Sequence, residues 1–175
     1  MKQDRLLSPG CITLVTGQRI YTCQRMHKLI IELALTSSVK LLIGGNRYDH
    51  YGINYALAAA SRHYEKILDN HISLSRAETC YQMVELLIHT QADQTPSLVL
   101  DLLVTFYDEN VPEQDVNQLL FEAILQFRRL SQQTVVVISA HSRQNRPRLL
   151  KALENAVNWV ESSNVDSRES DVALR

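Results

Sequence analysis

The chain lacks an excess of either charge. Its 175 residues include 18 basic and 19 acidic side chains, for a formal net charge of -1. This balance provides no overall attraction to nucleic acid or to an anionic membrane. Any contact with nucleic acid must therefore come from a local patch. No apolar run approaches the roughly 20 residues that span a bilayer, and the first residues are too polar for a secretory signal.

Patterns of cysteine and histidine that build disulfide or metal sites are also missing. Cys11, Cys23 and Cys80 are odd in number and widely spaced, which argues against a disulfide framework or a zinc cage. The six histidines are scattered singly, without an HExxH motif. The serines lack a G-x-S-x-G nucleophile elbow. We therefore expect no metal site, no membrane partner and a reduced location, either the cytoplasm or, in a eukaryote, the nucleus.

Apolar runs typical of buried strands alternate with helical patterns along the chain. The predicted strands are 11–15, 39–45, 71–75, 97–104, 134–140 and 156–160. The predicted helices are 23–33, 53–68 and 112–130. A further helix is predicted after 71–75, where Ser75 and Glu78 could form a capping box. This alternation predicts an α/β fold with a mostly parallel central sheet and helices on both faces. We expect a single domain over 10–161, an N-terminal tail over 1–9 and a flexible C-terminal tail over 162–175.

The segment GCITLVTGQRIYTCQ, residues 10–24, is the most informative part of the chain. It reads as a buried strand, a glycine turn and a helix, which is the setting of a phosphate-binding P-loop, G-x-x-x-x-G-K-[ST]. The residues that fall on the positions of this degenerate nucleotide loop are Gly17, Gln18, Arg19, Thr22, Cys23 and Gln24. Thr22 replaces the second glycine, Cys23 the lysine and Gln24 the hydroxyl residue. The scaffold is therefore predicted to be present without its phosphate chemistry.

Four segments, in this order, resemble the RecA/RadA recombinase superfamily and its KaiC-like P-loop ATPase relatives. GCITLVTG resembles the first strand and the opening of the Walker A loop, and HISLSRAETCYQMVELL resembles a strand that ends in Arg-Ala before a helix with Gln-Met. LVLDLLVTFYDENV resembles the Walker B strand, with Asp101 as its strand-end acid. TVVVISAH resembles the next strand, whose polar end residue is here His141. The resemblance covers roughly residues 10–161 and implies a three-layer RecA-like P-loop fold.

The groups that such an ATPase needs are not matched. The family's lysine reaches the β- and γ-phosphates and its Ser/Thr hydroxyl holds magnesium, whereas Cys23 supplies no stable cation and Gln24 is a poor hydroxyl mimic. The catalytic glutamate of the family corresponds to Asn46, which cannot act as a general base; Asp49 is an alternative in another register. Asp101 alone is insufficient, and its position favours a strand-end acid that caps or hydrogen-bonds locally over a magnesium-binding role. We therefore expect no enzyme activity and no cofactor.

A basic segment, HSRQNRPRLLK, follows the last matched strand. Its cations are Arg143, Arg146, Arg148 and Lys151. In the recombinases that the chain resembles, the loop at this place approaches single-stranded DNA, and clustered cations bind phosphates. The segment lacks an aromatic residue for base stacking, so it can also be a solvated loop. The acidic loop 105–115 near the same edge would repel a phosphate backbone.

Cys23 has two interpretations. A thiol near a helix N-terminus can have a lowered pKa, but the helical spacing favours an apolar residue on the buried face of the first helix.

Three functions follow from these residues, in order of preference. The first is a non-catalytic pseudo-ATPase that acts as an interaction or assembly partner in DNA recombination or repair, bound to a copy of itself or to a RecA-like ATPase. The second is an ATP-independent module for single-stranded nucleic acid, and the third is a cryptic nucleotide-binding ATPase. A small oligomer or hetero-complex is expected rather than a long filament.

Overall fold

A computed structural model describes residues 6–163, which form a six-stranded sheet with helices. The strands are β1 (Ile12–Thr16), β2 (Val39–Gly44), β3 (Ile72–Ala77), β4 (Ser97–Leu100), β5 (Val136–Ser139) and β6 (Trp159–Ser162). The helices are α1 (Arg19–Thr36), α2 (His50–Ala60), α3 (Tyr64–His71), α4 (Cys80–His89), α5 (Glu113–Ser131) and α6 (Arg148–Ala156), with a 3-10 helix at Leu102–Tyr107. The strand order is β3-β2-β4-β5-β1-β6, and every neighbouring pair is parallel. The predicted α/β class and parallel sheet are confirmed.

The three central strands are buried throughout because helices cover both of their faces. All residues of β1, β4 and β5 are buried, as expected for a parallel sheet enclosed by crossover helices. One core cluster joins the sheet to α1, α2 and α3, and the other joins it to α4, α5, α6 and the 3-10 helix. The helices are therefore divided between the two sides of the sheet.

The topology gathers the predicted site residues at one edge of the sheet. Because all the strands are parallel, their carboxyl ends meet at the same edge. β5 lies between β1 and β4, so the residues that follow these three strands are neighbours in space. Gly17, Asp101 and His141 come to one place for this reason.

The predicted strand 97–104 is wrong in its second half. β4 ends at Leu100, Asp101 takes a left-handed conformation with φ 52°, and a 3-10 helix begins at Leu102. This helix buries Leu103 and Phe106 completely. A short apolar run does not distinguish a buried strand from a buried helix, which explains the error.

The predicted helix 53–68 is two helices, because α2 ends at Ala60 and α3 begins at Tyr64. Between them, the Ser61 hydroxyl accepts a hydrogen bond from the His63 amide at 3.1 Å. A side-chain bond of this kind offers the backbone an alternative to the helix. The alanine-rich pattern of 53–68 does not indicate this break.

The predicted capping box of Ser75 and Glu78 is also wrong. Ser75 lies within β3, and Thr79 caps α4 by accepting a hydrogen bond from the Gln82 amide at 3.1 Å. The Gln82 side chain accepts a bond from the Glu78 amide at 2.8 Å, so a reciprocal cap exists, displaced along the chain from the predicted one. Near the end of the domain, α6 extends to Ala156, so β6 begins at Trp159 rather than at 156.

The ends of the described chain pack against the domain. Leu6 is buried and Leu7 packs against the cluster beside α1, although both belong to the predicted tail 1–9. Of the predicted C-terminal tail, Ser162 lies in β6 and Ser163 is buried, while 164–175 lie outside the described residues. Within 6–163, no helix is both long and apolar enough to cross a membrane.

Substitution of Gly44 by alanine tests how closely β2 approaches the turn at Asp101. An added Cβ would overlap the backbone carbonyl oxygen of Asp101, which cannot move as a flexible side chain would. We expect a loss of about 3 kcal/mol in the free energy of unfolding, measured in urea. Gly10→Ala is the matched control: its φ of +85° is unfavourable for alanine, but nothing lies within 4 Å, so about 1 kcal/mol is expected. Equal losses at both positions would contradict the close approach.

Candidate functional site at the carboxyl edge of the sheet

The turn after β1 is shorter than the predicted nucleotide loop. Gly17, with φ +118°, turns the chain, Gln18 is the N-cap, and α1 begins at Arg19. The Thr22 amide already donates to the Gln18 carbonyl oxygen at 3.1 Å. Arg19 and Thr22, which were predicted to occupy loop positions, are therefore helical, and the helix that was predicted from Cys23 begins four residues earlier.

Gly17 is needed at this turn for two reasons. Its φ is one that L side chains rarely adopt, and a Cβ there would lie 2.7 Å from the hydroxyl oxygen of Ser163. The end of β6 therefore packs directly over the turn that follows β1.

A cluster of three side chains, Thr22, Asp101 and His141, occupies the edge of the sheet beside this turn. His141 Nδ1 lies 3.2 Å from the Gly17 carbonyl oxygen, and its Nε2 lies 3.1 Å from Thr22 Oγ1 and 3.3 Å from Asp101 Oδ1. Thr22 is buried and donates its own hydroxyl proton to the Arg19 carbonyl oxygen at 3.0 Å. With the imidazole protonated, both ring nitrogens donate and every oxygen around them accepts. We call this cluster the clamp, because it joins the ends of β1, β4 and β5 to α1.

Residues around the clamp also hold Asp101 in its left-handed backbone conformation. Its amide donates to Ser139 Oγ at 2.9 Å, and the residue is only 8% exposed. A left-handed non-glycine residue costs of the order of 1–3 kcal/mol and persists where surrounding contacts determine it. Both interpretations of Asp101 remained open from the sequence; in the structure it is a strand-end acid that bonds within the protein.

Hydrogen bonding to Asp101 raises the pKa of His141 above its ordinary value. The Gly17 carbonyl raises the same pKa, while burial and the charge of Arg19 oppose the change. The net direction favours the imidazolium form. In that form, the positive charge of the ring lies beside the Asp101 carboxylate.

Two clefts lie on either side of the clamp. The larger has a volume of about 500 Å³ and is lined by Thr16, Gly17, Gln18, Arg19, Asp101, Val104, Tyr107, His141, Ser142, Arg143 and Leu150. The smaller has a volume of about 230 Å³, and its polar lining includes Thr22, Cys23, Gln24, Arg47, Asp49 and Asp101. Cys23 is exposed at this smaller cleft, so its expected place on the buried face of α1 is wrong. Thr22, the adjacent residue, is buried instead.

The two candidates for the position of the catalytic glutamate differ in their surroundings. The Asp49 carboxylate accepts a hydrogen bond from the Gly52 amide at 2.8 Å and caps α2. Asn46 is exposed in the turn after β2. Within residues 6–163, no group of three or more His, Cys, Asp or Glu side chains could hold a metal ion.

The predicted basic segment does not form a single loop of free cations. Arg146 donates to the carbonyl oxygens of Phe106 at 2.7 Å and Val111 at 2.6 Å. Arg143 lies over the Tyr107 ring, 5.4 Å from its centroid. Arg148 and Lys151 are in α6, where Lys151 lies 3.8 Å from Glu154. Arg143, Arg148 and Lys151 remain exposed, but Arg146 is a structural residue.

Sequence reasoning missed Tyr107 and Ser139 as parts of this edge. The Tyr107 hydroxyl donates to the His141 carbonyl oxygen, and burial raises the pKa of Tyr107 to about 12. The sequence did not indicate Tyr107 because this residue lies in the segment 105–115, which was predicted to be an acidic loop. Ser139 carried a usable signal, since it is the last residue of β5 and lies two residues before His141.

The stability of the domain should decrease as the pH rises above the ordinary pKa of histidine, about 6.5. Because the folded state raises the pKa of His141, the stabilisation is complete below the ordinary value of about 6.5 and is lost as the pH rises through the folded-state pKa. We expect the free energy of unfolding, measured in urea between about pH 6 and 8, to fall with pH. His141→Gln should remove this dependence, and His63→Gln, at an exposed histidine, should keep it. A wild-type profile that is flat, or that is unchanged in His141→Gln, would contradict the charged clamp.

Arg146 and Arg148 should differ sharply when each is changed to alanine. Arg146→Ala leaves two backbone carbonyl oxygens without their donor, so a loss of about 2–3 kcal/mol in the free energy of unfolding is expected. Arg148→Ala is the matched control at an exposed position and should change stability by less than about 0.5 kcal/mol. Thermal and urea unfolding of both variants would measure this difference, and equal effects would show that Arg146 does not support the loop before α5.

No family model matches the chain, and no curated protein is similar to it. The resemblance to RecA-like proteins therefore rests on the residues quoted above and on their order along the sequence.

Proposed function

We propose that the chain is a non-catalytic, RecA-like protein that acts as an interaction or assembly partner, with a second copy of itself or a RecA-like ATPase as the partner. The observation that supports this best is the start of α1 at Arg19, two residues after Gly17. In a P-loop, the residues between the two glycines form a loop whose amides surround the phosphates. Here those residues form the first helical turn, and the clamp joins that turn to Asp101.

Each group that phosphoryl transfer needs has another role or is missing. Asp101, which would lie near magnesium, interacts with His141. Asp49 caps a helix, and the lysine position holds Cys23. Because this reaction is catalysed almost entirely by positioning and charge stabilisation, loss of these groups together removes the basis for turnover.

The pathway in this proposal comes from the resemblance to recombinases. A protein of this type would work in DNA recombination or repair, in the cytoplasm or in the nucleus of a eukaryote. Its contribution would be contact with other proteins rather than chemistry.

Direct measurement of nucleotide binding and turnover tests the proposal. Titration of Mg-ATP should show no binding tighter than about 1 mM, which corresponds to about -4 kcal/mol. Phosphate release should not exceed that of Asp101→Ala, the matched variant. Turnover that is present in the wild type and lost in Asp101→Ala would overturn the proposal in favour of a cryptic ATPase.

The nucleic-acid alternative is weakened by the position of Arg146, whose guanidinium group bonds to carbonyl oxygens. A salt-dependent shift of single-stranded DNA that is lost in Arg143→Glu plus Arg148→Glu would support this alternative. Those two residues are preferable to Arg146 for the test because they are exposed and their substitution leaves the loop anchored.

A further inference from the structure

Helix α2 has an outer face without charge. Its sequence, HYGINYALAAA, contains no Asp, Glu, Lys or Arg. Ile53 and Leu57 face the core, whereas Tyr51 and Tyr55 are 84% and 80% exposed. Ala59, one turn further, is also exposed. The outer face of a surface helix normally carries charged residues, and exposed tyrosines are frequent anchors of protein contacts. We call Tyr51, Tyr55 and Ala59 the tyrosine face.

Accessible positive charges flank the tyrosine face. Arg47, four residues before Tyr51, and Arg62, three residues after Ala59, are both exposed. Neither forms an ion pair within the part of the chain that the structure describes. The carboxylate between them, Asp49, is used as the cap of α2. A partner that covers this face should therefore combine apolar and acidic side chains.

A surface of that composition lies on the other side of the sheet. Helices α4 and α5 expose Phe121 by 62%, Tyr81 by 46%, Ile88 by 42% and Leu125 by 39%. The carboxylates on these helices and at the start of α4 are Glu78, Glu85, Glu113, Asp115 and Glu122. They outnumber the two arginines of α5, Arg128 and Arg129, so this surface is acidic on balance. We call the outer surface of α4 and α5 the acidic face.

The two helices of the acidic face form one surface. The Tyr81 hydroxyl donates to Asp115 Oδ2 at 3.3 Å near one end. Near the other end, Arg129 donates to the carbonyl oxygens of Leu87 and Thr90, each at 2.9 Å. These contacts hold α4 against α5 at both ends.

We propose that the tyrosine face of one copy docks on the acidic face of a second copy. Tyr51 and Tyr55 are four residues apart, as are Phe121 and Leu125, so each pair forms an i, i+4 ridge that can pack into grooves of the other helix. The charges around the two faces are opposite in sign, which favours this pairing over a contact between like faces.

The two faces lie on opposite sides of the sheet, since α2 belongs to one core cluster and α4 and α5 to the other. The contact is therefore heterologous, and copies join head to tail. The inference rests on the proposed function, because it takes the chain to act through protein contacts, and it names one partner and both surfaces.

A mixing experiment with the full chain tests the inference. Tyr51→Ser plus Tyr55→Ser removes one face, and Phe121→Ser plus Leu125→Ser removes the other. Sedimentation or light scattering over about 1–100 μM covers the affinity expected of a modest interface. We expect the mass of the wild type to rise with concentration and each variant alone to be a monomer. An equimolar mixture of the two variants should form a heterodimer and nothing larger, because each retains the face that the other lacks.

Controls keep the result interpretable. All substituted side chains are exposed, so circular dichroism and thermal unfolding should be near those of the wild type. Leu35→Ser, at a 38% exposed position outside both faces, should assemble as the wild type does. Arg47→Glu plus Arg62→Glu should weaken the assembly at least tenfold in Kd, and salt should weaken that of the wild type.

Several outcomes would overturn the inference. These are a wild type that stays monomeric throughout, variants that keep the wild-type mass, and a mixture that stays monomeric. Loss of single-stranded DNA binding in the tyrosine variant, without any change in mass, would assign the face to nucleic acid instead. ATP turnover would overturn the proposed function but would leave these masses unchanged, so the two failures are distinguishable.

Discussion

The interaction between His141 and Asp101 connects the elements that meet at the carboxyl edge of the sheet. The two side chains come from the ends of β5 and β4, and through Thr22 and the Gly17 carbonyl they also contact α1 and the turn after β1. A pair of groups that is only partly exposed can hold elements together more effectively than a surface ion pair, because solvent screens it less. Asp101 is placed for this contact by its left-handed backbone and by the bond from its amide to Ser139. The edge therefore depends on a polar network in which each member has a partner.

The features that could be predicted from the sequence are those with strong local patterns. Continuous apolar runs located the cores of β1, β2, β4 and β5, and the i, i+3, i+4 spacing from Val116 to Leu130 located α5. The parallel topology then brought Gly17, Asp101 and His141 to one edge, where the structure places them. Element ends were less predictable, because the apolar run after Leu100 suits a buried strand and a buried 3-10 helix equally.

The clamp itself could not be predicted, because it depends on tertiary geometry. When residues 17–24 are aligned with a P-loop, Thr22 is simply a replacement of the second glycine. In the structure, the Thr22 hydroxyl links α1 to His141. Arg146 was read as a free cation because its sequence neighbours are basic. Its carbonyl partners, Phe106 and Val111, come from a segment about 40 residues earlier, and spacing along the chain contains no information about them. The prediction for Cys23 was wrong by one residue. The spacing predicts Cys23 on the buried face of α1, but the neighbouring Thr22 is buried there and Cys23 is exposed.

The side chains at the carboxyl edge of the sheet and those on the outer helix surfaces differ in their contacts, and this difference is consistent with the proposed role. At the edge, polar side chains bond to one another and to the backbone, so their hydrogen-bonding capacity is largely used within the domain. On the outer surfaces, Tyr51, Tyr55 and Phe121 are among the most exposed large apolar side chains of the described chain, and none of them belongs to either core cluster. A side chain that contributes little to its own core but presents a large rigid surface is better explained by a contact with another molecule. The polar network of the clamp thus stabilises the edge, while the exposed aromatic side chains lie on helices on both sides of the sheet.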